Sequence, residues 1–546
     1  MSQQQTDRTR WFGLAFLALG LAMIIVDATI VNVAIPSIIT DLRIELTDAE
    51  WVNTVYSLVF AALLIAVGRL GDLIGRKRIY LAGLVLFIAA SLLCATAPSG
   101  AWLIAARALQ GIGAALILPS TLSSVNAMFR GRERAIAFGI WGSVIGGMAA
   151  LGPLIGGWLT TSLSWHWAFY VNLPVGLLAF AGAALLVPET RDESTQRGVD
   201  LVGILLSSGG FAALVFGLIE GERYGWLRPE LTFHVGPWSW PLDSLSPVPF
   251  ALGLAALLIP AFLLHQHWRA GRGLPVLVDL GLFRYRSFRW GNLTALIVSL
   301  GEFGMIFVLP LYFQAVLGYT AFETGVVLLA LAGGAFIAGP SAAGLATRFG
   351  PRRVVSAGML LEAVGLLLLA ALLSPTTTGL RLAPALLLYG IGVGLATAQL
   401  TSVILSEVPT ARSGQASGIQ STTRQIGSAL GIAILGTLLA AGLVSGTRER
   451  LATLPGLPPE QVTAISQLVK RTAGQVLPEL GRQPGGEAIV RAVDDAFTAA
   501  ARRDALVAAA FILVGFGASW LLPDVPALRR LQERTEAIAK QPASSG

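Results

Sequence analysis

Fourteen apolar windows, each bounded by charged or turn-forming residues, follow one another along the chain. They lie at 11–35, 51–69, 78–97, 101–126, 135–160, 167–188, 199–220, 248–267, 288–313, 321–347, 353–374, 381–404, 413–443 and 504–522. A hydrocarbon core of roughly 30 Å is crossed by a helix of about this length. Backbone in lipid must satisfy its own polar groups, which an α-helix does within one segment. The pattern therefore predicts an all-α polytopic membrane protein with 14 transmembrane helices. Composition agrees, at 54% hydrophobic and 13% charged, where a water-soluble chain carries about a quarter charged residues. The net charge of +7 is spread over loops between windows rather than gathered in a patch, which sets nucleic acid aside. The first window is too long for a cleavable signal and contains an acid, so it reads as an uncleaved first span.

Short loops orient the bundle. Those holding Arg69, Arg76, Lys77 and Arg78, then Arg130, Arg132 and Arg134, then Arg269, Arg272, Arg284, Arg286 and Arg289, then Arg348, Arg352 and Arg353 are basic. Asp41, Glu45, Asp48 and Glu50, and later Glu323, stand on the other side. The positive-inside rule then places both termini in the cytoplasm.

An internal repeat divides the chain. Gly68–Arg69–Leu70–Gly71–Asp72–Leu73–Ile74–Gly75–Arg76–Lys77–Arg78 aligns with Ala343–Gly344–Leu345–Ala346–Thr347–Arg348–Phe349–Gly350–Pro351–Arg352–Arg353. Spans 1–6 and 9–14 become two six-helix repeats, with spans 7 and 8 as two inserted helices. The expected boundaries are 1–190 for the first half, 191–287 for the insertion, 288–522 for the second half, and 523–546 for a cytoplasmic tail. Transporters built from repeats bind substrate between the halves near the midplane. Residues 220–247 are rich in Trp and Pro and are placed near the interface. Residues 445–503 predict an external helical hairpin with arms at 459–473 and 486–503, the second running into the last span. It is either a solvated connector or a gating element.

Enzyme signatures are missing. None of the three lysines, 77, 470 and 540, follows a glycine, so there is no Walker loop. Of the four histidines only His265 and His267 are close, and at i, i+2 they do not share a helix face. No metal site or cofactor is expected, and the lone Cys94 allows no internal disulfide.

Charged residues inside spans are few: Asp27, Arg107, Glu302, Glu362 and Arg424. Such groups are costly in a bilayer and mark ion or substrate pathways unless they are paired structurally. Asp27 lies roughly 24 Å along the first span and Arg107 at a similar depth on the antiparallel fourth. The two are placed to face one another, with the arginine holding the acid ionised until it is displaced. Glu302, about 18 Å into the ninth span, offers a second carboxylate to a cation or a proton. Glu362 is read as structurally paired. Arg424, followed by Gln425, is a bundle clamp or a cavity charge; Asn32 and Gln110 join these two as cavity candidates. Asp72 and Arg76, at i, i+4, form a local pair or a latch with Gly68, Gly75 and Glu133. In the latch, Asp72 caps a helix of the opposite half and Arg76 pairs with Glu133. Gly152, Pro153, Gly156 and Gly157 remove side chains along one strip of the fifth span, for close packing, for sealing the halves, or both.

Together these motifs resemble the major facilitator superfamily, and within it the fourteen-helix drug/proton antiporter branch. Asp27–Ala28–Thr29–Ile30–Val31–Asn32–Val33–Ala34–Ile35–Pro36 is similar to that branch's first-helix motif. Residues 68–78 match the superfamily loop motif, Arg107–Ala108–Leu109–Gln110–Gly111 the fourth-helix motif, and residues 152–157 the antiporter motif. The resemblance implies the major facilitator fold and alternating access. It implies exchange of protons, coupled by Asp27 and Arg107, for lipophilic, often cationic compounds. Two departures stand out: Met148 replaces a glycine of the antiporter motif, and His166 replaces an arginine before Phe169–Asn172. The expected protein is a monomeric, multi-pass exporter of the bacterial inner membrane that meets small-molecule substrate, protons and lipids. A dedicated exporter of one natural product, lipid or siderophore remains the alternative, and a lapsed scaffold or a uniporter are further ones.

Overall fold

The structure is a computed structural model that describes residues 3–44, 46–191, 198–235, 238–455, 457–482 and 485–523. All but one residue of the expected tail, 523–546, lie outside them. The helices are α1 (Gln3–Leu42), α2 (Leu46–Ile74), α3 (Arg76–Ala95), α4 (Gly100–Met128), α5 (Gly131–Ser162), α6 (Trp167–Tyr170), α7 (Asn172–Leu186), α8 (Leu201–Ile219) and α9 (Gly221–Tyr224). They continue with α10 (Pro247–Gly271), α11 (Arg286–Ala315), α12 (Ala321–Phe349), α13 (Pro351–Leu372), α14 (Gly379–Ile404), α15 (Ser413–Leu451), α16 (Pro459–Thr472), α17 (Leu477–Gly481) and α18 (Gly486–Ser519). A two-residue antiparallel ribbon pairs His234–Val235 with Trp238–Ser239. Among the described residues, 12 helices are long and apolar enough to cross a membrane. The 32-residue α5 and the C-terminal part of α18 complete fourteen crossings.

Helix ends follow from local chemistry. Ser99 accepts from the Trp102 amide at the start of α4, and Asp200 from the Gly203 amide at the start of α8. Thr320 and Glu323 form a reciprocal capping box on α12. Gly75 and Gly350, which the repeat alignment pairs, both take positive φ (+122° and +89°) where one helix ends and the next begins. Only glycine adopts that backbone freely.

Three of the departures from the expected boundaries have a local cause. α1 continues past 35 to Leu42, and Asp41 in its last turn accepts from the Trp165 indole at 2.9 Å. The sixth crossing is divided at Val171 into α6 and α7. Pro174 has no amide to donate, and the first turn of α7 is where none is needed. α15 runs beyond 443 because Leu451 packs with Val462 and Ala492 of the following segment.

That segment holds α16, α17 and the first half of α18. Lys470 ties it to the loop after α8, with Nζ 3.0 Å from Glu230 and 3.3 Å from Glu222. Asp494 faces inward on the α18 arm, and its Oδ1 is buried without a hydrogen bond. Burial first, and the neighbouring Asp495 second, push its carboxyl up to about 7. A carboxyl raised on folding contributes stability below its unfolded value, and that contribution is lost as pH rises through the folded one. Asp494→Asn is therefore expected to raise the melting temperature more at pH 8 than at pH 5. Scanning fluorimetry at the two pH values checks this, and an equal change at both contradicts it.

The end carrying Arg69, Arg76–Arg78 and Arg130–Arg134 is called the basic end below. α5 and α12 form the most extensive helix pair, and glycines let their backbones touch. A methyl on Gly139 would strike the Gly339 carbonyl, and one on Gly325 would lie 2.8 Å from Leu154 N. Away from the basic end, α8 bridges α2 and α15. Thr54 donates to Glu220 at 2.7 Å, while Leu218 packs on Ala429 and Ala433.

Candidate functional site

Asp27 sits at mid-length on α1 and is 0% exposed. Its Oδ2 is 2.5 Å from Arg107 Nη1 on α4. Its Oδ1 accepts from Asn172 Nδ2 at 2.7 Å and from Gln110 Nε2 at 3.1 Å. Every group bonded to this carboxylate is a donor, which is how a buried charge is tolerated. Arg107 is held in turn. Its Nε donates to the Val52 carbonyl (3.0 Å), Nη1 also donates to Gln110 Oε1 (2.7 Å), and the guanidinium lies 4.2 Å from the Tyr56 ring centroid. Gln110 donates to Ser91 Oγ at 2.7 Å. Gln110 is thus committed to the Asp27 network rather than to a cavity wall. Asn32, on the first-helix motif, has a side chain outside the described residues. Asn172, Ser91 and Tyr56 were not singled out from sequence. Asn172 and Ser91 left a signal there, since each is a polar residue well inside an apolar span.

The second half carries a different arrangement. Glu302 on α11 is 2% exposed. Oε1 accepts from Thr397 of α14 at 3.1 Å, and Oε2 lies 3.4 Å from Arg424 Nη2 of α15. The Tyr389 hydroxyl donates to the Glu302 carbonyl at 3.2 Å. Glu302, Thr397, Tyr389 and Arg424 line a cleft with Leu331 and Val393, and Ile145 of α5 closes it from the other half. Gln425 is half-buried and is not part of that lining. Glu362 departs from the sequence reading. It is 0% exposed, yet neither carboxyl oxygen makes a hydrogen bond or ion pair among the described residues.

At the basic end α2 meets α15. A side chain on Gly68 would collide with the Gly414 carbonyl, so the backbones touch there. Asp72 accepts from the amides of Gly414 and Gln415, both at 2.9 Å, and caps the N-terminus of α15. Arg76 Nη2 donates to Asp72 Oδ1 and to the Thr410 carbonyl, each at 2.8 Å. Asn126 of α4 donates to Ser413 Oγ at 2.8 Å. The Arg76–Glu133 pair expected from sequence is not formed. Asp72 and the Thr410 carbonyl just before α15 take Arg76, and Glu133 faces Arg10 at 3.6 Å. This structure is therefore shut at the basic end.

Residues 17–432 match the family described as Major Facilitator Superfamily. The chain belongs to that family. It is similar to the puromycin resistance protein pur8 of Streptomyces alboniger, at 35% identity over 85% of this chain and 89% of that one. The tetracenomycin C resistance and export protein of Streptomyces glaucescens is 32% identical over 88% and 85%. The multidrug efflux pump LfrA of Mycolicibacterium smegmatis is 33% identical over 86% and 88%. Among solved structures, the human organic anion transporter MFSD10 (TETRAN) superposes with a TM-score of 0.55 at 13% identity, covering 95% of this chain and 100% of that one. That likeness shows the fold. In this major facilitator chain the strip on α5 packs on both sides. A methyl on Gly156 would lie 2.7 Å from Ile30 Cγ1 of α1, one on Gly152 would strike Thr29, and one on Gly157 would lie 3.2 Å from Phe322 N of α12. Met148 does not disturb this packing, since adjacent Gly147 takes the edge of the Phe336 ring.

Proposed function

We propose that this major facilitator chain is a proton-driven exporter of lipophilic, cationic compounds that works by alternating access. The observation that carries the reading is the pair of buried ionic sites, one per half: Asp27–Arg107 enclosed in the first, Glu302–Arg424 lining the cleft in the second. Isolated charges at this depth cost several kcal/mol, which makes each pair an expensive feature to keep. The basic end faces the cytoplasm of a bacterial inner membrane, both termini lie there, and the chain works as a monomer.

In this conformation Asp72, Arg76 and the Gly68–Gly414 contact latch the cytoplasmic side. Opening to the other side lets a proton reach Asp27 and Arg107 turn away from it. With the acid neutral, the halves rock back and the cavity opens inward for substrate. Release of the proton to the cytoplasm restores the Asp27–Arg107 pair and completes the exchange. Substrate cation is drawn to Glu302, whose charge Arg424 masks only loosely at 3.4 Å.

Reconstituted vesicles loaded with ethidium test the reading. Efflux against a gradient should start when a pH gradient is imposed and stop when a protonophore collapses it. Flux indifferent to the pH gradient would favour a uniporter. A dedicated exporter is the second reading, supported by relatives named for puromycin and tetracenomycin C. Resistance confined to one compound class would support it.

A further inference from the structure

Among the described residues, Glu362 and Asp504 are fully buried acids that the exchange scheme does not use, and Glu362 is the one beside the Glu302–Arg424 pair. It lies on α13, fully enclosed, and no donor reaches either oxygen among the described residues. Its placement is built rather than incidental. α13 and α14 approach through Gly358, Gly365 and Gly392, and a methyl on Gly392 would lie 2.6 Å from Glu362 Cγ. The side chain therefore passes over a position kept bare for it. The charged groups acting on it are Glu302 of α11 and Arg424 of α15. Tyr389 of α14 stands in the field of both acids and donates to the Glu302 backbone. Among the described residues, α12 and α18 bring no charge that acts on it.

A carboxylate without a single hydrogen bond in this interior would carry a desolvation cost far above that of the neutral acid. Glu302 already holds Arg424, so the local charge balances only with a proton on Glu362. We propose that Glu362 is a proton-carrying group of the second half, and that a lipophilic monocation binding at Glu302 displaces its proton. The charge count closes. Before binding there are Glu302⁻, Arg424⁺ and neutral Glu362. A monocation that takes Glu302 frees Arg424, which turns to Glu362. The O–H bond of Glu362 breaks, its proton leaves through the cleft, and two neutral pairs remain. This rests on the exporter reading for the nature of the substrate, and it adds a proton beyond the one assigned to Asp27.

Two measurements on the purified full chain test it. The infrared spectrum at neutral pH should show the C=O band of a buried protonated acid that is absent from Glu362→Gln. Labelling the wild type with ¹³C-glutamate should shift the same band, which gives the reading even where the variant folds poorly. Tetraphenylphosphonium binding should release one proton in wild type and none in Glu362→Gln. Its affinity should then rise about tenfold per pH unit in wild type and stay flat in the variant. Absence of a shifting glutamic acid band, or proton release unchanged in Glu362→Gln, overturns the proposal. Failure of tetraphenylphosphonium to bind at all would instead remove the cationic-substrate reading, and the infrared band alone would then decide whether Glu362 holds a proton.

Discussion

Arg107→Ala is expected to cost about 3–5 kcal/mol of stability, because it leaves Asp27 as a buried charge without its counter-ion. Asn172 and Gln110 remain as donors to Oδ1, but nothing replaces the guanidinium at Oδ2. Adding Asp27→Asn to Arg107→Ala removes the stranded charge and should recover most of that loss. The coupling read from this cycle belongs to the pair itself. Denaturation of wild type, both single variants and the double variant in one detergent supplies it. A single Arg107→Ala variant as stable as wild type would mean that Asp27 is already neutral in the closed-basic-end state.

Asp72→Ala should shift the balance between conformations by more than a hundredfold. It removes two charge-assisted bonds to the first amides of α15, each worth about 1.5–3 kcal/mol, and a tenfold shift needs about 1.4 kcal/mol. The effect falls on one state only, since these bonds exist only while α2 and α15 touch. Spin labels at Arg78→Cys and Ala411→Cys read the separation directly. The native Cys94 is buried and does not compete. Wild type should give mainly the short distance and Asp72→Ala mainly a long one. A short distance retained in Asp72→Ala would show that the Gly68–Gly414 backbone contact holds the basic end alone.

Much of this was legible in the sequence because membranes impose simple rules. Runs of apolar residues mark crossings, and a lone charge inside one must be satisfied. Asp27 and Arg107 could be paired by depth alone, and the capping role of Asp72 by its place at a helix end. Gly75 and Gly350, which the alignment pairs, both stand at a positive φ that admits almost nothing else. What stayed hidden depended on which face of a helix turns where. Asn172 and Ser91 complete the Asp27 network from α7 and α3, elements whose rotation no motif reports. Gln110 was taken for a cavity residue, since a polar side chain near a cavity looks the same in sequence as one spent on a neighbour. Glu362 was read as paired, because the rule that buried charges find partners has a second solution, which is to keep the proton. The path of Arg76 was misjudged for a similar reason. A guanidinium chooses among nearby acceptors, and the Thr410 carbonyl is one that no sequence pattern announces.

Proton exchange by this route requires Asp27 to change its proton occupancy as the halves rock, although here it is enclosed and paired. The most direct test is uphill efflux by Asp27→Asn in vesicles with an imposed pH gradient, set beside tracer exchange with no gradient. The variant should still exchange labelled for unlabelled substrate but no longer accumulate it against a gradient. Uphill, pH-driven efflux by Asp27→Asn at the wild-type level would contradict this.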